Sequence, residues 1–390
     1  MRQRRVPKSK SNKAVRVRLQ KPDFYLFFFA LALLAFGLLM VLDAGAFRSF
    51  KYTENAFHFV LQQLRWALIG CVLAYITIRI PFTFWKKYAN LAMAVSLGLL
   101  IMVFLNGIGT NGSVRWVKIA GIQFQPSEFC KLALIVFYAK ILDRRPVRTL
   151  KDLIIPLGVL IPVMLLVFKQ PDLGTTMVIG LTAVAMLLQT ELPTRWFAIT
   201  APVVAVALYF LIRHTEYQWQ RILVWFDPWK YAANEGLQVV NAQIAFGTGG
   251  IFGVGLGQSL QKFGFLPENY TDTIFTIVGE EFGFLGSIAL IALFVCLFVR
   301  CYKMSRLCPD RFGRLLGYGI TSALAIQTVI NLAVVTGVMP LTGITLPLIS
   351  YGGSSLSVTL AELGIILNIS RYRKPKVTTE IPQQSRQVTV

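Results

Sequence analysis

Acidic residues are scarce in this sequence: 18 Asp and Glu stand against 39 Lys and Arg in 390 positions. Charge of either sign reaches only 15%, against roughly 25% in an average soluble domain. With 55% hydrophobic residues and a mean hydropathy of +0.61, no polar stretch is long enough to build a separate soluble domain. The chain therefore reads as an integral membrane protein. Histidine is nearly absent: His58 and His214 are isolated, which leaves no histidine pair for a metal. Of the five cysteines, Cys71, Cys130 and Cys296 fall in apolar runs, and Cys301 and Cys308 fall in a basic loop. No pair occupies an outward loop, so no disulfide is expected, and the last two lack the further ligands of a zinc site. No Walker loop, Rossmann glycine pattern or HExxH motif occurs, which leaves nucleotide-dependent and zinc-protease chemistry without a sequence basis. A net charge of +21 would suggest nucleic acid in a soluble chain, but these cations sit in short loops between apolar spans. That pattern is a topology signal, and no nucleic-acid partner is expected.

What is present is a series of apolar runs. Residues 1–21 carry nine Lys/Arg and no acid, and read as a basic cytoplasmic arm. The run 24–42 is followed by an A-x-A-like site at Ala44–Ala46. It exceeds the 7–15 residues or so of a signal-peptide core, so it reads as an uncleaved first helix. Further runs at 59–78, 88–105, 127–142, 150–168, 174–190, 195–212, 272–299, 315–337 and 345–369 match the roughly 20 residues a helix needs to cross a bilayer. The expected fold is an all-α polytopic membrane protein of about ten transmembrane helices in one domain, 22–370. A large extracytoplasmic loop, 213–271, separates helices 7 and 8. With the N-terminus inside, the inward segments hold 28 of the 39 Lys/Arg, so both termini are expected in the cytoplasm. Within the large loop, 237–257 is too glycine-rich for a span and predicts a short interfacial helix followed by a glycine-rich turn. The polar tail 371–390 is expected to be disordered.

The unusual polar clusters all fall on the outward side. In 262–286, KFGFLPENYTDTIFTIVGEEFGFLG, a punctuated loop runs into an apolar helix bearing Asp272, Glu280 and Glu281. Ionisable groups at membrane depth are costly and face a partner or a watery cavity. A helix starting near Asp272 would put Glu280 about 80° around and about 12 Å deeper, so the two acids would share one cavity. Glu281 would face away. Asp272 has no cation within four residues, which argues against a purely structural ion pair. In NGSVRWVKIAGIQFQPSEFCK (111–131), Arg115 and Lys118 lie three apart, and Glu128 and Lys131 are spaced to pair on one helix face; such a pair serves stability as readily as function. Asp172 in KQPDLGTT (169–176) reads first as a helix cap, at a helix start that is also suited to phosphate. In QRILVWFDPW (220–229) the aromatics suit a membrane-interface belt, whereas Arg221 is suited to clamp a diphosphate. Finally, 331–355 holds prolines, glycines and hydroxyls between two spans, and irregular backbone at this depth must line a cavity or be buried in protein. Its Ser350–Ser355 stretch offers N–H and O–H groups for an anion or a sugar.

In that order, RWVKIAGIQFQPSEFCK, QPDLGTT, QRI with its later DP, IAFGTGGIFGVGLG, LPENYTD with IVGEEFGFLG, and PLTGITLPLISYGGSS resemble the SEDS peptidoglycan polymerases of the FtsW, RodA and SpoVE types. The match runs from Phe24 to Ile369, and GVGLGQSLQKFGFLPE looks most like the division (FtsW-like) branch. The family commonly reads His-Thr-Asp-Phe where this chain has Tyr270-Thr271-Asp272-Thr273. The resemblance implies an inverting glycosyltransferase that joins the disaccharide of lipid II, an undecaprenyl-diphosphate-linked precursor, into β-1,4 glycan strands at the septum. Asp272 matches the family's essential acid and would serve as general base. The matched stretches supply the substrate-binding candidates Arg115, Trp116, Lys118, Gln125, Glu128, Lys131, Asp172, Arg221 and Glu268, together with Glu280, Ser350, Tyr351, Gly352, Gly353 and Ser354. The implied partners are lipid II, a class B penicillin-binding protein and other division-complex membrane proteins. Arginines and lysines would meet the leaving diphosphate with or without a divalent cation (Mg or Mn), and no organic cofactor is implied. The implied location is the bacterial cytoplasmic membrane, with the active site outside. A lipid II flippase and a non-catalytic division scaffold are the competing readings. A carrier usually shows paired broken helices in two repeated halves, and a scaffold has no use for Asp272.

Overall fold

A computed structural model describes residues 19–110, 113–119, 122–145 and 147–373. Most of the basic arm and of the polar tail therefore lies outside the described residues. Twelve helices of at least one and a half turns follow in order among them. Helix α1 (Phe24–Thr53) is capped by Asp23, whose carboxylate accepts the Leu26 N–H at 3.0 Å. Pro81 separates α2 (His58–Arg79) from α3 (Phe82–Asn106). Then come α4 (Pro126–Arg144), α5 (Ile154–Lys169), α6 (Leu173–Leu187) and α7 (Arg195–Arg213). Two short helices, α8 (Glu216–Phe226) and α9 (Leu237–Gly249), occupy the large loop. The chain closes with α10 (Ile274–Arg306), α11 (Arg311–Val335) and α12 (Gly353–Ser370).

Each predicted apolar run contains a helix. Seven helices among the described residues are long and apolar enough to cross a membrane, and α6 is a shorter apolar helix. Three features depart from the sequence reading. The segment after α3 is not a plain loop: β1 (Ile108–Thr110), β2 (Ser113–Ile119) and β3 (Ile122–Phe124) form an antiparallel meander. The alternating, β-branched VRWVKI sequence suits a strand. The run 345–369 becomes helical only at Gly353. And α10 starts at Ile274 rather than at Asp272.

The bundle is layered by polarity. Helix α4 carries Glu128, Lys131 and Lys140 and is buried at all three, and α12 is 94% buried over its apolar window. The helices at the rim, such as α2 and α3, leave most of their apolar windows unburied, as a lipid-facing surface requires. At the end where α1 begins, Arg300 holds Asp23 through two hydrogen bonds of 2.6 and 2.8 Å. The Gln20 N–H donates to the Arg371 carbonyl at 2.8 Å, which ties the segment ahead of α1 to the end of α12.

The opposite end is organised by a break in α10. Gly283 adopts φ 66°, ψ −163°, a conformation accessible essentially to glycine. The freed carbonyls of Glu280 and Glu281 accept the N–H groups of Val254 and Gly255, at 3.0 Å each. The freed N–H groups of Phe284 and Leu285 donate to Gly250 and Ile251, at 2.9 and 3.1 Å. The glycine-rich turn thus fills the break and satisfies backbone groups that would be orphaned at this depth. Beside it, the buried Lys262 ammonium lies 2.7 Å from Asp43 of α1 and 2.9 Å from Glu281 of α10. Removing the central cation leaves two buried carboxylates facing each other, a loss of about 3–5 kcal/mol. Lys262→Met should therefore lower the melting temperature of the detergent-purified protein markedly; an unchanged melting curve would show that the triad does not hold the loop.

Candidate functional site

The loop after that triad carries Asp272 to the edge of a cavity of about 690 Å³. Its position is fixed from behind. Asn331 of α11 donates its amide to the backbone carbonyls of Asp272 and Ile344, both at 2.7 Å. The Tyr351 N–H donates to the Tyr270 carbonyl at 2.9 Å, and the Tyr270 ring stacks on Phe59 of α2 at 4.6 Å. The loop and the irregular segment ahead of α12 are thereby joined, and Gly343, at φ 70°, passes beside the Asp272 carboxylate.

The cavity wall gathers most of the sequence candidates. Strand β2 contributes Arg115, Trp116 and Lys118, and the start of α4 contributes Gln125. Helix α8 contributes Arg221, the loop gives Glu268 and Asp272, and the approach to α12 gives Tyr351, Gly352, Gly353 and Ser354. Four cations, Arg65, Arg115, Lys118 and Arg221, face two carboxylates, Glu268 and Asp272. None of the four pairs with a carboxylate among the described residues. Arg115 is oriented by the Gln170 carbonyl at 3.2 Å and by that of Pro171. Arg221 donates to the Leu341 carbonyl at 2.8 Å and lies over the Tyr217 ring. A wall of held, unpaired cations suits a polyanion such as a diphosphate.

The remaining candidates lie outside the cavity lining. Glu128 and Lys131 form a buried pair at 3.0 Å, and Lys131 also donates to Gln327 at 2.6 Å. Gln327 in turn donates to the Thr345 carbonyl at 2.9 Å, so this pair braces a cavity-lining segment from below. Asp172 caps α6 through the Thr175 N–H at 3.0 Å and accepts from Gln125 at 3.3 Å. Ser350 accepts the Leu346 N–H at 2.8 Å within its turn. Glu280 does not share the cavity. It is buried, and accepts the N–H groups of Leu260 and Gln261 at 3.1 and 3.4 Å and the Ser259 hydroxyl. The helical-wheel estimate fails because Asp272 precedes the helix, so no regular turn relates the two acids.

The Asp272 carboxyl is half-buried, and its pKa is pushed up to about 6. Burial is the main cause, and neighbouring Glu268 adds to it. Hydrogen bonds from Thr271 at 3.2 Å and Gln238 at 3.5 Å oppose the shift. No cation pairs with it among the described residues. The carboxyl therefore titrates close to neutrality, where a general base is most effective.

Sequence reasoning missed part of the wall. Gln62, Arg65, Trp66 and Ile69 of α2 line the cavity, as do Gln123, Tyr217, Thr271, Gly343 and Thr345. The signal for the first group is present: two glutamines and an arginine interrupt the apolar run at residues 62–65.

Residues 24–375 match the profile of a cell cycle protein family that groups FtsW, RodA and SpoVE. The chain belongs to the FtsW/RodA/SpoVE family. Within this SEDS family it is of the FtsW branch. A probable peptidoglycan glycosyltransferase FtsW from Geobacter sulfurreducens is 39% identical, over 91% of this chain and 97% of that protein. Stage V sporulation protein E of Bacillus subtilis is 37% identical, over 90% and 98%. Among solved structures, a chain from the work "Structural coordination of polymerization and crosslinking by a peptidoglycan synthase complex" superposes with a TM-score of 0.77. It is 30% identical and covers 90% of this chain and 98% of that one. The rod shape determining protein RodA of Thermus thermophilus gives a TM-score of 0.69 at 29% identity, over 91% and 98%.

The raised pKa has a sign that can be checked in this FtsW-branch member. A carboxyl with a folded pKa of about 6 and an unfolded value near 3.8 favours the fold when protonated. That stability is present below about pH 4 and lost as pH rises through about 6. Asp272→Asn should therefore melt no lower than wild type at pH 8, and the gap between the two should close toward pH 4.

Proposed function

We propose that this protein is a peptidoglycan glycosyltransferase: it polymerises lipid II into β-1,4 glycan strands for the division septum. One observation carries the mechanism: Asp272, with no cation partner among the described residues, lies at the rim of a cavity whose wall presents four arginine and lysine side chains. The names of the FtsW relatives support the activity. Asp272 takes the proton from the acceptor sugar's 4-hydroxyl as that oxygen attacks the donor's anomeric carbon. The new C–O bond forms as the bond to phosphate breaks, and undecaprenyl diphosphate departs with the electron pair. A single displacement inverts the α-linked donor to a β-linkage and needs no enzyme nucleophile. Arg65, Arg115, Lys118 and Arg221 stabilise the charge that develops on the leaving diphosphate.

The described residues contain no group of three His, Cys, Asp or Glu side chains arranged for a metal. Glu268, the cavity carboxylate that the proton transfer does not use, would hold a divalent cation of the kind bound by one carboxylate plus substrate phosphates. Bound there, such an ion would add positive charge at the diphosphate.

The chain is proposed to cross the bacterial cytoplasmic membrane ten times with both termini inside and the cavity outside. The excess of Lys and Arg in the inward segments supports this orientation. A class B penicillin-binding protein is the proposed partner. The support is the likeness to a chain from a complex that coordinates polymerisation and crosslinking.

In detergent, purified wild-type protein with its transpeptidase should convert lipid II into glycan strands, and Asp272→Asn should lower the rate by about 10²–10⁴-fold. Wild-type-like strands from the variant would exclude Asp272 as the base. The wild-type rate should fall as pH drops below about 6, because the base must be unprotonated. Charge reversal at Lys118 or Arg221 should raise the KM for lipid II; unchanged KM and turnover in both would remove the diphosphate clamp. A transporter would give directional movement in sealed vesicles and no polymer in detergent.

A further inference from the structure

We propose that the small pocket between α8 and the start of α9 is a saccharide subsite for the sugar that carries the attacking hydroxyl. In this arrangement Gln238 positions that sugar against Asp272. The inference rests on the glycosyltransferase reading above.

The pocket has a volume of about 190 Å³, and Tyr217, Gln220, Glu235, Gln238 and Leu341 line it with Arg221. It adjoins the main cavity: Tyr217 and Arg221 line both. Gln238 links them chemically, because its amide donates to Asp272 Oδ2 at 3.5 Å. That bond is long, as catalytic hydrogen bonds often are before substrate arrives.

The two spaces differ in chemistry. The main cavity presents four cations and two carboxylates. The pocket presents mainly apolar surface, from Tyr217, Val224 and Leu341, with one arginine, one glutamate and two glutamines around it. A diphosphate is drawn to the first. An uncharged pyranose suits the second, where amide and carboxylate groups match its hydroxyls and the tyrosine offers an apolar surface with a polar tip. The pocket is too small for a disaccharide bearing its peptide, so it takes one terminal sugar ring. Such a ring brings its hydroxyl to Asp272 from the pocket side. The donor's anomeric carbon and its diphosphate lie on the cavity side. Holding the two reactants on opposite sides of one base is the orientation that a single displacement requires.

The probe is chitotetraose, a phosphate-free β-1,4 N-acetylglucosamine oligomer, followed by saturation-transfer NMR on the detergent-purified full chain. Wild type should bind it, and Gln220→Ala and Glu235→Gln should each weaken binding about tenfold, the size of one lost hydrogen bond. Both side chains are exposed, so the fold should tolerate either change, and a melting curve checks it. Lys118→Ala, which alters the main cavity and not the pocket, should leave probe binding unchanged. Gln238→Ala should move the acid limb of the polymerisation rate to higher pH, because a donor to the ionised Asp272 is gone. The other charged or titratable groups around the cavity, Glu268, Arg65, Arg115, Lys118, Arg221 and Tyr351, are retained in that variant. No wild-type binding, binding by the two pocket variants equal to wild type, or binding lost in Lys118→Ala would overturn the subsite. An unmoved acid limb would remove Gln238 as a positioning residue. Neither result touches the activity itself, which is read separately from wild type against Asp272→Asn.

Discussion

The structure at the substrate end depends on the interruption of α10 at Gly283 and on what fills it. A helix broken at membrane depth exposes backbone groups that the hydrocarbon cannot satisfy. Here the 250–255 turn supplies the missing partners. The same turn leads into a loop pinned by Lys262 between Asp43 and Glu281 and by Glu280 beneath the N–H groups of Leu260 and Gln261. Asp43, Glu280 and Glu281 are thereby committed to holding the loop. Asp272 is left with neutral hydrogen-bond donors, and that is why its pKa can rise.

The cavity has the opposite logic. Two of its four cations, Arg115 and Arg221, are held by backbone carbonyls and an aromatic ring, so these two are oriented without being neutralised. Carbonyl partners fix geometry while leaving a full positive charge available to an incoming anion. The buried Glu128–Lys131 pair acts one layer below, through Gln327, on the segment that lines the cavity floor. Charge pairs thus serve as structure beneath the cavity, while its four cations are left without a carboxylate partner among the described residues.

Much of this was legible from the chain. The apolar runs marked the helices because hydrocarbon demands continuous apolar faces, and Asp272 stood out because no cation neighbours it. Arg115, Lys118 and Arg221 stood out as cations in outward, punctuated segments, whereas Glu268 entered only with the family-matched stretch. Glu280 misled because its spacing from Asp272 implied a helix that had not yet begun. Arg65 was overlooked because one cation inside an apolar run reads as lipid-facing until α2 is seen flanking the cavity.

By itself the sequence determined membrane class and family, and it singled out Asp272 as the candidate acid. These rest on composition and on local motifs, which survive without knowledge of distant neighbours. Only the tertiary structure decided which charges are spent on each other and which remain free. The partners of Glu281 and Lys262 include Asp43, more than 200 residues away in the chain, and burial, which sets the Asp272 pKa, comes from elements remote in sequence. Pairing across such separations is a property of packing, so spacing along the chain could not reveal it.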